Sequence, residues 1–441
     1  MPTKGGSKHG MSALVRLGTG PLSRGSRAIC LGVALLVTGS GLLRAQTPPS
    51  SDTAPAASPT KPGQVKLSIE IVYFSREERP VEYLSLAEPV LTDAGLRGVE
   101  QGIRDDQTTG RFLGHAYAMS TIKVPANGDI AAAFKAALDK GQRFFVADLK
   151  KDDLLTIAPL ADAAGAIVFN ARAPDDDLRT DICHISVFHT ALSYAQKADA
   201  LAQYLVWKRW TRWFLLVGSH PEDKAFGTAL RRSATKFGIN IVEDRTYEDT
   251  GGARRTDTGA VQVQRQMPIV TQNAATHDVV VVADESEVFG DYVPYRTWDP
   301  RPVVGTSGLV PTAWSRVTEQ WGGTQMQRRF EKTAGRPMNE RDYDAWVATR
   351  ALGEAVTRTG SADPATLHAY LASDKLEVGA FKGQGLSFRA WDQQIREPIL
   401  LVTSRTLVSV SPQDEFLHQR STLDTMGFDE PESRCRLNGP G

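Results

Sequence analysis

Cysteine and histidine are scarce in this chain, three and eight among 441 residues, and none falls at the paired spacings that zinc sites need. There is no Walker-type phosphate loop, and no Gly-x-Gly-x-x-Gly opens a helix after a strand. Gly305-Thr306-Ser307-Gly308 lacks the order of a hydrolase nucleophile elbow. These absences leave no nucleophile with a recognisable base, so the expectation is a protein that neither catalyses nor carries a cofactor. Charge of one sign is missing too. Lys plus Arg number 51 and Asp plus Glu number 51, which excludes the basic excess of a nucleic-acid partner. Beyond Leu43 no apolar run approaches the roughly 20 residues of a membrane span.

What is present begins with an export leader. Residues 1–45 carry six basic side chains and no acid. A basic stretch ending at Arg27 precedes an apolar run from Ala28 to Leu43, and Leu43-Arg44-Ala45 offers a small residue for cleavage. The alternative is an uncleaved anchor, for which the run is short and Gly-rich. Cys30 stands near the start of the run instead of following it, without the neighbours of a lipid-attachment site. Cleavage leaves 45 basic and 51 acidic groups, a periplasmic body of net charge −6. It also leaves Cys183 and Cys435, which an oxidising compartment would join in a disulfide. That bridge would close a very long loop and contribute up to ~5 kcal/mol; two buried free thiols are the other reading. Residues 46–64, rich in Pro, Ser, Ala and Thr, read as a disordered linker.

From Val65 onward short apolar strands alternate with helical stretches. VKLSIEIVYF, HAYAMSTIKV, FFVADL and GAIVFNA read as strands, and apolar spacing predicts helices over Tyr83–Arg104, DIAAAFKAALDKG and KDDLLTIAPLADAA. A second series follows from Thr190: helix ALSYAQKADALAQYLVWKRW, strand RWFLLVGSH, helix PEDKAFGTALRRSATKFG, then INIVEDRTY, a helix near Gln264–Asn273, HDVVVVADE and RPVVGTSGL. Such alternation predicts parallel sheets with crossover helices, and two series predict two α/β lobes. Thr312–Leu371 reads as mainly helical, followed by strand-like FKGQGLSFRAW and EPILLVTS. The tail, Gln413–Gly441, is polar and aperiodic, and is expected to drape over the surface, held by Cys435.

This order resembles the type I periplasmic solute-binding proteins, the group typified by the leucine/isoleucine/valine receptor of ABC importers. Three local signatures carry the likeness. Phe226-Gly227 stands where the family has Tyr-Gly, DYDAWVATRALGEAVTRTGSADP is similar to its Tyr-Asp-Ala helix, and FKGQGLSFRAWDQQ to its Gly-x-x-Gly-x-x-Phe-Asp turn. YFSREERPVEYLSLAEPVL, ALAQYLVWKRW, FGDYVPYRTWDPRPV, GLVPTAW and PESRCRLN are similar to the subgroup linked to alcohol oxidation by pyrroloquinoline quinone enzymes. The resemblance implies two Rossmann-like lobes joined by three hinge crossings, near Cys183–Thr190, Leu309–Thr312 and Asp392–Pro398. Lobe one is then 65–187 plus 312–392, lobe two 188–311 plus 393–412, and the tail 413–441. It implies a monomeric receptor that closes on a small solute and delivers it to a permease and ATPase.

In open α/β sheets, ligands bind beyond the carboxyl ends of the strands. The candidate binding residues are therefore Ser75, Asp148, Lys150, Ala171, Arg172 and Ala173 in lobe one, with Phe226, Asp284 and Ser307 in lobe two. Family receptors hold an amino-acid carboxylate on a hydroxyl-rich loop and its ammonium on a lobe-two acid. Here Lys150, Lys151 and Asp152 replace the hydroxyls, and the position near Ser307 lacks the acid, which disfavours an ordinary α-amino acid. Tyr73, Phe226 and Trp314 are candidate anchors for a small apolar or alcohol-derived solute. Asp175-Asp176-Asp177 with Asp181, and Asp284-Glu285 with Glu287, offer oxygens for a lanthanide or calcium ion, against a plainer reading as solvated loops. Cys183, His184 and His189 fit no standard zinc pattern. The expectation is no metal, with a metal receptor or a ligand sensor without transport as alternatives.

Overall fold

The computed structural model describes residues 65–78, 91–249 and 262–437. The expected leader, the expected linker and the Tyr83–Val90 part of the expected first helix lie outside the described residues. In β1 (Leu67–Arg76) successive side chains point opposite ways, yet both sets are buried. Ile69, Ile71 and Tyr73 enter one core, Val72 and Phe74 another. A strand buried on both faces requires a parallel sheet with helices on each side. The sheet follows from α1 (Leu96–Leu113), β2 (His115–Val124), α2 (Ile130–Asp139), β3 (Phe144–Asp148), α3 (Lys151–Ala164), β4 (Ile167–Asn170), the one-turn α4 (Asp177–Thr180) and β5 (Val187–His189). Its five parallel strands run in the order β2-β1-β3-β4-β5. Phe134 of α2 and Leu154 and Ile157 of α3 pack one face, with the Phe74 and Phe134 rings 5.4 Å apart.

A second parallel sheet, β7-β6-β8-β9, repeats the logic. Its elements are α5 (Tyr194–Trp207), β6 (Arg212–Gly218), α6 (Pro221–Lys236), β7 (Asn240–Tyr247), α7 (Val263–Thr271), β8 (Val279–Ala283), α8 (Val293–Arg296) and β9 (Val303–Gly305). In β6, Trp213, Leu215 and Val217 face α5 and α6, while Phe214 and Leu216 join Met267 of α7 in a separate core. Both helices start where the sequence supplies caps. The Ser193 hydroxyl accepts from the Gln196 N–H, and Asp223 closes a capping box on His220 just after Pro221.

The remaining elements are β10 (Val310–Thr312), α9 (Gly323–Ala334), α10 (Glu340–Thr359), α11 (Pro364–Leu371), β11 (Val378–Gly379), β12 (Gly385–Phe388), β13 (Ile395–Arg396), β14 (Ile399–Val402) and β15 (Leu407–Ser411). They build two antiparallel sheets, β10-β14-β15 and β11-β12-β13. Helix α10 lies directly on α1: a Cβ on Gly98 would stand 1.9 Å from the Asp342 carbonyl oxygen, so only glycine permits this approach.

That contact corrects the expected first helix. Gly95 at φ 80° ends any upstream helical run and donates its N–H to Asp342 Oδ1 at 2.8 Å. The helix therefore starts at Leu96 and, held against α10, continues past Arg104 to Leu113. The helix expected from Thr312 begins only at Gly323, because Trp321 (φ 51°) and Gly322 (φ 85°) are left-handed. Of FKGQGLSFRAW only Gly385–Phe388 is strand.

The tail is held by Cys435, as expected, and several of its residues are buried against the body. Cys435 is disulfide-bonded to Cys183 with Cα atoms 5.8 Å apart, and Met426 is 0% exposed. Arg389, itself buried, donates to Asp424 Oδ1 at 3.0 Å and to the Met426 carbonyl at 2.6 Å. Asp199 of α5 accepts from the Gly427 N–H at 2.9 Å and from Lys236 at 2.8 Å.

Candidate functional site

At the carboxyl end of the first sheet, β1 and β3 bring Ser75 opposite Asp148. The Tyr73 hydroxyl donates to Asp148 Oδ2 at 2.6 Å and lies 3.0 Å from the Ala94 carbonyl. Burial, then the Asp148 charge, drives the Tyr73 phenol far above its ordinary range. The other carboxylate oxygen, Asp148 Oδ1, is buried with no hydrogen bond among the described residues. Two guanidiniums flank it at 3.7 Å, one from Arg172 beyond β4 and one from Arg341 in the first turn of α10. Arg172 also pairs with Glu78, beyond β1. That pairing and the charges of Arg341 and Lys150 hold the Glu78 carboxyl below its usual range despite burial.

A second charged cluster lies where the ends of both sheets approach the starts of α5 and α10. Lys197 donates to Glu340 Oε2 at 2.8 Å, and Glu340 Oε1 accepts the Ala313 N–H at 2.8 Å. Burial opposes ionisation of Glu340, but Lys197 and these hydrogen bonds bring its pKa below the ordinary value. Glu285, beyond β8, is pushed up to about 7 by burial and by Glu340, Asp223 and Glu287, against the pull of Lys197. Asp344 is pushed well above the carboxylate range by burial, then by Glu340 and Glu397. Lys382, fully buried, donates to the carbonyls of Ala313 and Pro398 and lies 3.1 Å from Glu397. Burial raises the Tyr194 phenol above its ordinary range, and the charges of Glu285, Asp175, Glu222 and Asp176 add to the rise.

Of the residues expected at the site, Asp148 and Arg172 come together, with Lys150 exposed two residues on and Ser75 beside them. Ala171 and Ala173 are buried and hold the turn: the Ala173 N–H donates to Asn170 Oδ1, and its carbonyl accepts from Asn170 and Arg179. Phe226 is 1% exposed and packs on Tyr194 with ring centroids 5.7 Å apart, a core position. The Asp284 carboxylate accepts the N–H groups of Val288, Phe289 and Gly290 at 2.6–2.9 Å, so it organises its own loop. Ser307 is buried against Gly290. Trp314 stacks on Tyr343 at 4.8 Å and is 2% exposed.

Among the described residues no three His, Cys, Asp or Glu side chains gather as a metal site. Within the aspartate run, Asp177 pairs with Lys151 and Asp176 accepts the Ala195 N–H. Cys183 is taken by the disulfide, His184 pairs with Asp162, and His189 is buried beside Asn170.

Sequence reasoning missed Lys197, Glu340 and Arg341. Their signal was present: Arg341 is a cation in the first turn of a capped helix, where the helix dipole disfavours one. The position near Ser307 was expected to lack the acid, and an acid, Glu285, lies just beyond the neighbouring strand.

An open groove along α9, lined by Gly322, Thr324, Gln325, Arg328, Arg329 and Lys332, is separate from these clusters. Its Arg329 is held by Asp105 of α1.

Residues 126–281 match the family described as "Periplasmic binding protein". No curated protein matches the sequence. Among solved structures, an ABC transporter substrate-binding protein from Sphaerobacter thermophilus superposes with a TM-score of 0.65 at 15% identity, over 82% of this chain and 100% of that one. A branched-chain amino acid ABC transporter periplasmic ligand-binding protein from Burkholderia xenovorans gives 0.64 at 14% identity, over 84% and 100%. A leucine-, isoleucine-, valine-, threonine- and alanine-binding protein from Brucella ovis, in a closed conformation, gives 0.59 at 14% identity, over 84% and 97%. At such identities the likeness is one of architecture, and it establishes that the chain has the two-lobed α/β fold of the type I periplasmic binding proteins.

Proposed function

We propose that the protein is the periplasmic receptor of an ABC importer, binding one small solute between its lobes and presenting it to a permease and ATPase without chemical turnover. One observation carries the reading. Charged groups beyond the strand ends of both parallel sheets converge on the first turns of α5 and α10, where Lys197, Glu340 and Glu285 lie together. That is where two hinged α/β lobes enclose a ligand. The proteins sharing the fold are named as substrate- or ligand-binding components of transporters.

In this reading lobe one comprises 65–187 and 312–392, and lobe two 188–311 and 393–412. The ligand-facing residues are Ser75, Asp148, Lys150 and Arg172, joined by Arg341 and Glu285. Amino acids, named for two of the fold relatives, are the first solutes to test, since Glu285 supplies an acid for an ammonium. The link to quinoprotein alcohol oxidation rests on the sequence strings alone, and implies a solute supplied to or drawn from that system.

Deletion of the gene, with solute uptake and transcription measured side by side, tests the reading. Loss of uptake with unchanged transcription is expected. Intact uptake with a lost transcriptional response would favour a sensor. Substrate consumption by the purified protein would overturn the receptor assignment.

A further inference from the structure

Residues 426–428 of the tail are gripped from two sides in alternation. The Gly427 N–H donates to Asp199 Oδ2 at 2.9 Å, and the Gly427 carbonyl accepts from Arg232 at 3.0 Å and Lys236 at 3.1 Å. Those three side chains belong to α5 and α6, which the lobe boundaries proposed above place in lobe two. The flanking carbonyls of Met426 and Phe428 accept instead from Arg389 of lobe one, at 2.6 and 3.1 Å. Gly427 lies at φ 80°, and a Cβ there would stand 2.8 Å from Gln196 of α5 and 3.5 Å from Arg389. Only glycine lets the tail pass between these two walls.

The alternation continues to the disulfide. Glu432 pairs with Arg232 of lobe two at 2.9 Å. The next residue, Ser433, donates to the Arg179 carbonyl of lobe one at 2.8 Å, and the Arg434 N–H donates to the Thr180 carbonyl at 2.9 Å. Cys435 then joins Cys183. Neighbouring Cα atoms are ~3.8 Å apart, so the step from Glu432 to Ser433 holds no slack. A rotation that parts the lobes here has to break one anchor or the other. The covalent end also lies on the hinge. Cys183 opens the first crossing, and the Leu437 N–H donates to the Trp391 carbonyl beside the third, at 3.4 Å.

We propose that residues 426–437 form a disulfide-anchored clasp across the two lobes, limiting how far they swing apart. The clasp is a fourth connection, added by the tail to the three crossings. The inference rests on the two-lobed receptor reading and concerns its conformational range. A hinged receptor binds with an affinity scaled by the fraction of molecules in the binding-competent arrangement. A clasp that trims the open population therefore tightens capture, and breaking the bridge loosens it.

The test takes the exported, disulfide-bonded protein, free of solute, before and after mild reduction. The Gly427 amide reports release of the tail. The Ala195 amide of α5, held by Asp176 of lobe one at 2.9 Å, reports separation of the lobes. Hydrogen exchange at both should quicken on reduction by roughly 30-fold or more, and the radius of gyration from solution X-ray scattering should rise. Cys183→Ser with Cys435→Ser should behave as the reduced protein. Arg232→Gln loosens the lobe-two grip with the bridge intact, and should move both readouts the same way by less. It carries the test if the bridge-free proteins fail to fold, judged by their thermal melts. Faster exchange at Gly427 with Ala195 and the radius unchanged would overturn the clasp, since the tail would then leave without freeing the lobes. No change at either amide would overturn it too. Neither measurement needs a solute, so failure of the receptor reading shows separately, as absence of binding by a protein whose lobes the bridge still restrains.

Discussion

Lys197 of α5 and Glu340 of α10 form an ion pair of 2.8 Å between residues 143 apart in sequence. Glu340 is also held by the Ala313 N–H, so one carboxylate ties the start of α10 to both α5 and the end of β10. Glu340→Ala leaves the Lys197 ammonium without its main partner and should cost about 3–5 kcal/mol in urea unfolding. A double change to Lys197→Met and Glu340→Leu should recover much of that loss, because the uncompensated charge is removed with its partner.

Glu285 and Glu397 are each pushed up to about 7, burial being the largest cause. The ordinary value is 4.5. Between those values the folded state holds protons that the unfolded chain has released. The stability these groups contribute therefore falls as pH rises through that window, and is level above it. Glu397→Gln removes one of them. The urea midpoint of the variant, relative to the unaltered protein, should climb from pH 4.5 to pH 7. A difference that does not vary with pH would show that Glu397 stays ionised throughout.

The tail couples the disulfide to a buried anchor. Replacing Cys183 and Cys435 together by Ser should lower stability by about 2–5 kcal/mol. Met426→Ala, at a 0% exposed position, should cost about 2–5 kcal/mol through the cavity it leaves. Thermal unfolding with and without reductant checks both. A reductant-insensitive melting temperature would show that the bridge contributes nothing.

Asp284 satisfies three backbone N–H groups in its loop. Asp284→Ala orphans them, and the loss should be about 2–4 kcal/mol, since each unmet buried donor is costly. Stability of the variant in guanidinium reads this directly. Solute affinity that drops with no loss of stability would instead place Asp284 on the ligand.

Much of the fold was legible because it depends on local pattern. The alternation in LSIEIVYF and the apolar runs of FFVAD and VVVVA specify strands buried on both faces, and hence parallel sheets under helices. The caps Ser193 and Asn339 set the starts of α5 and α10 through local hydrogen bonds. Ends set by another element were not legible. Leu96 begins α1 because Gly95 turns to meet Asp342, and nothing near Gly95 in sequence announces that partner.

The candidate site divides the same way. Asp148, Lys150 and Arg172 were singled out because they lie at or beyond strand ends, and strand ends point to clefts. Phe226, within α6, packs against Tyr194, and Asp284, just beyond β8, accepts three N–H groups of its own loop. Arg341 escaped notice because it starts a helix, and only the contact between α10 and α1 carries it to Asp148.

The sequence by itself determined the strand and helix alternation, the class of sheet and the pairing of Cys183 with Cys435, the two cysteines beyond Cys30. These follow from side-chain periodicity and composition, which act over a few residues or over the whole chain. Tertiary structure decided which charges meet: Arg341 with Asp148, Glu340 with Lys197, and Arg389 with the tail at Asp424. Such pairings depend on how distant segments cross, and Coulomb energy between buried groups depends on separations that no local pattern encodes.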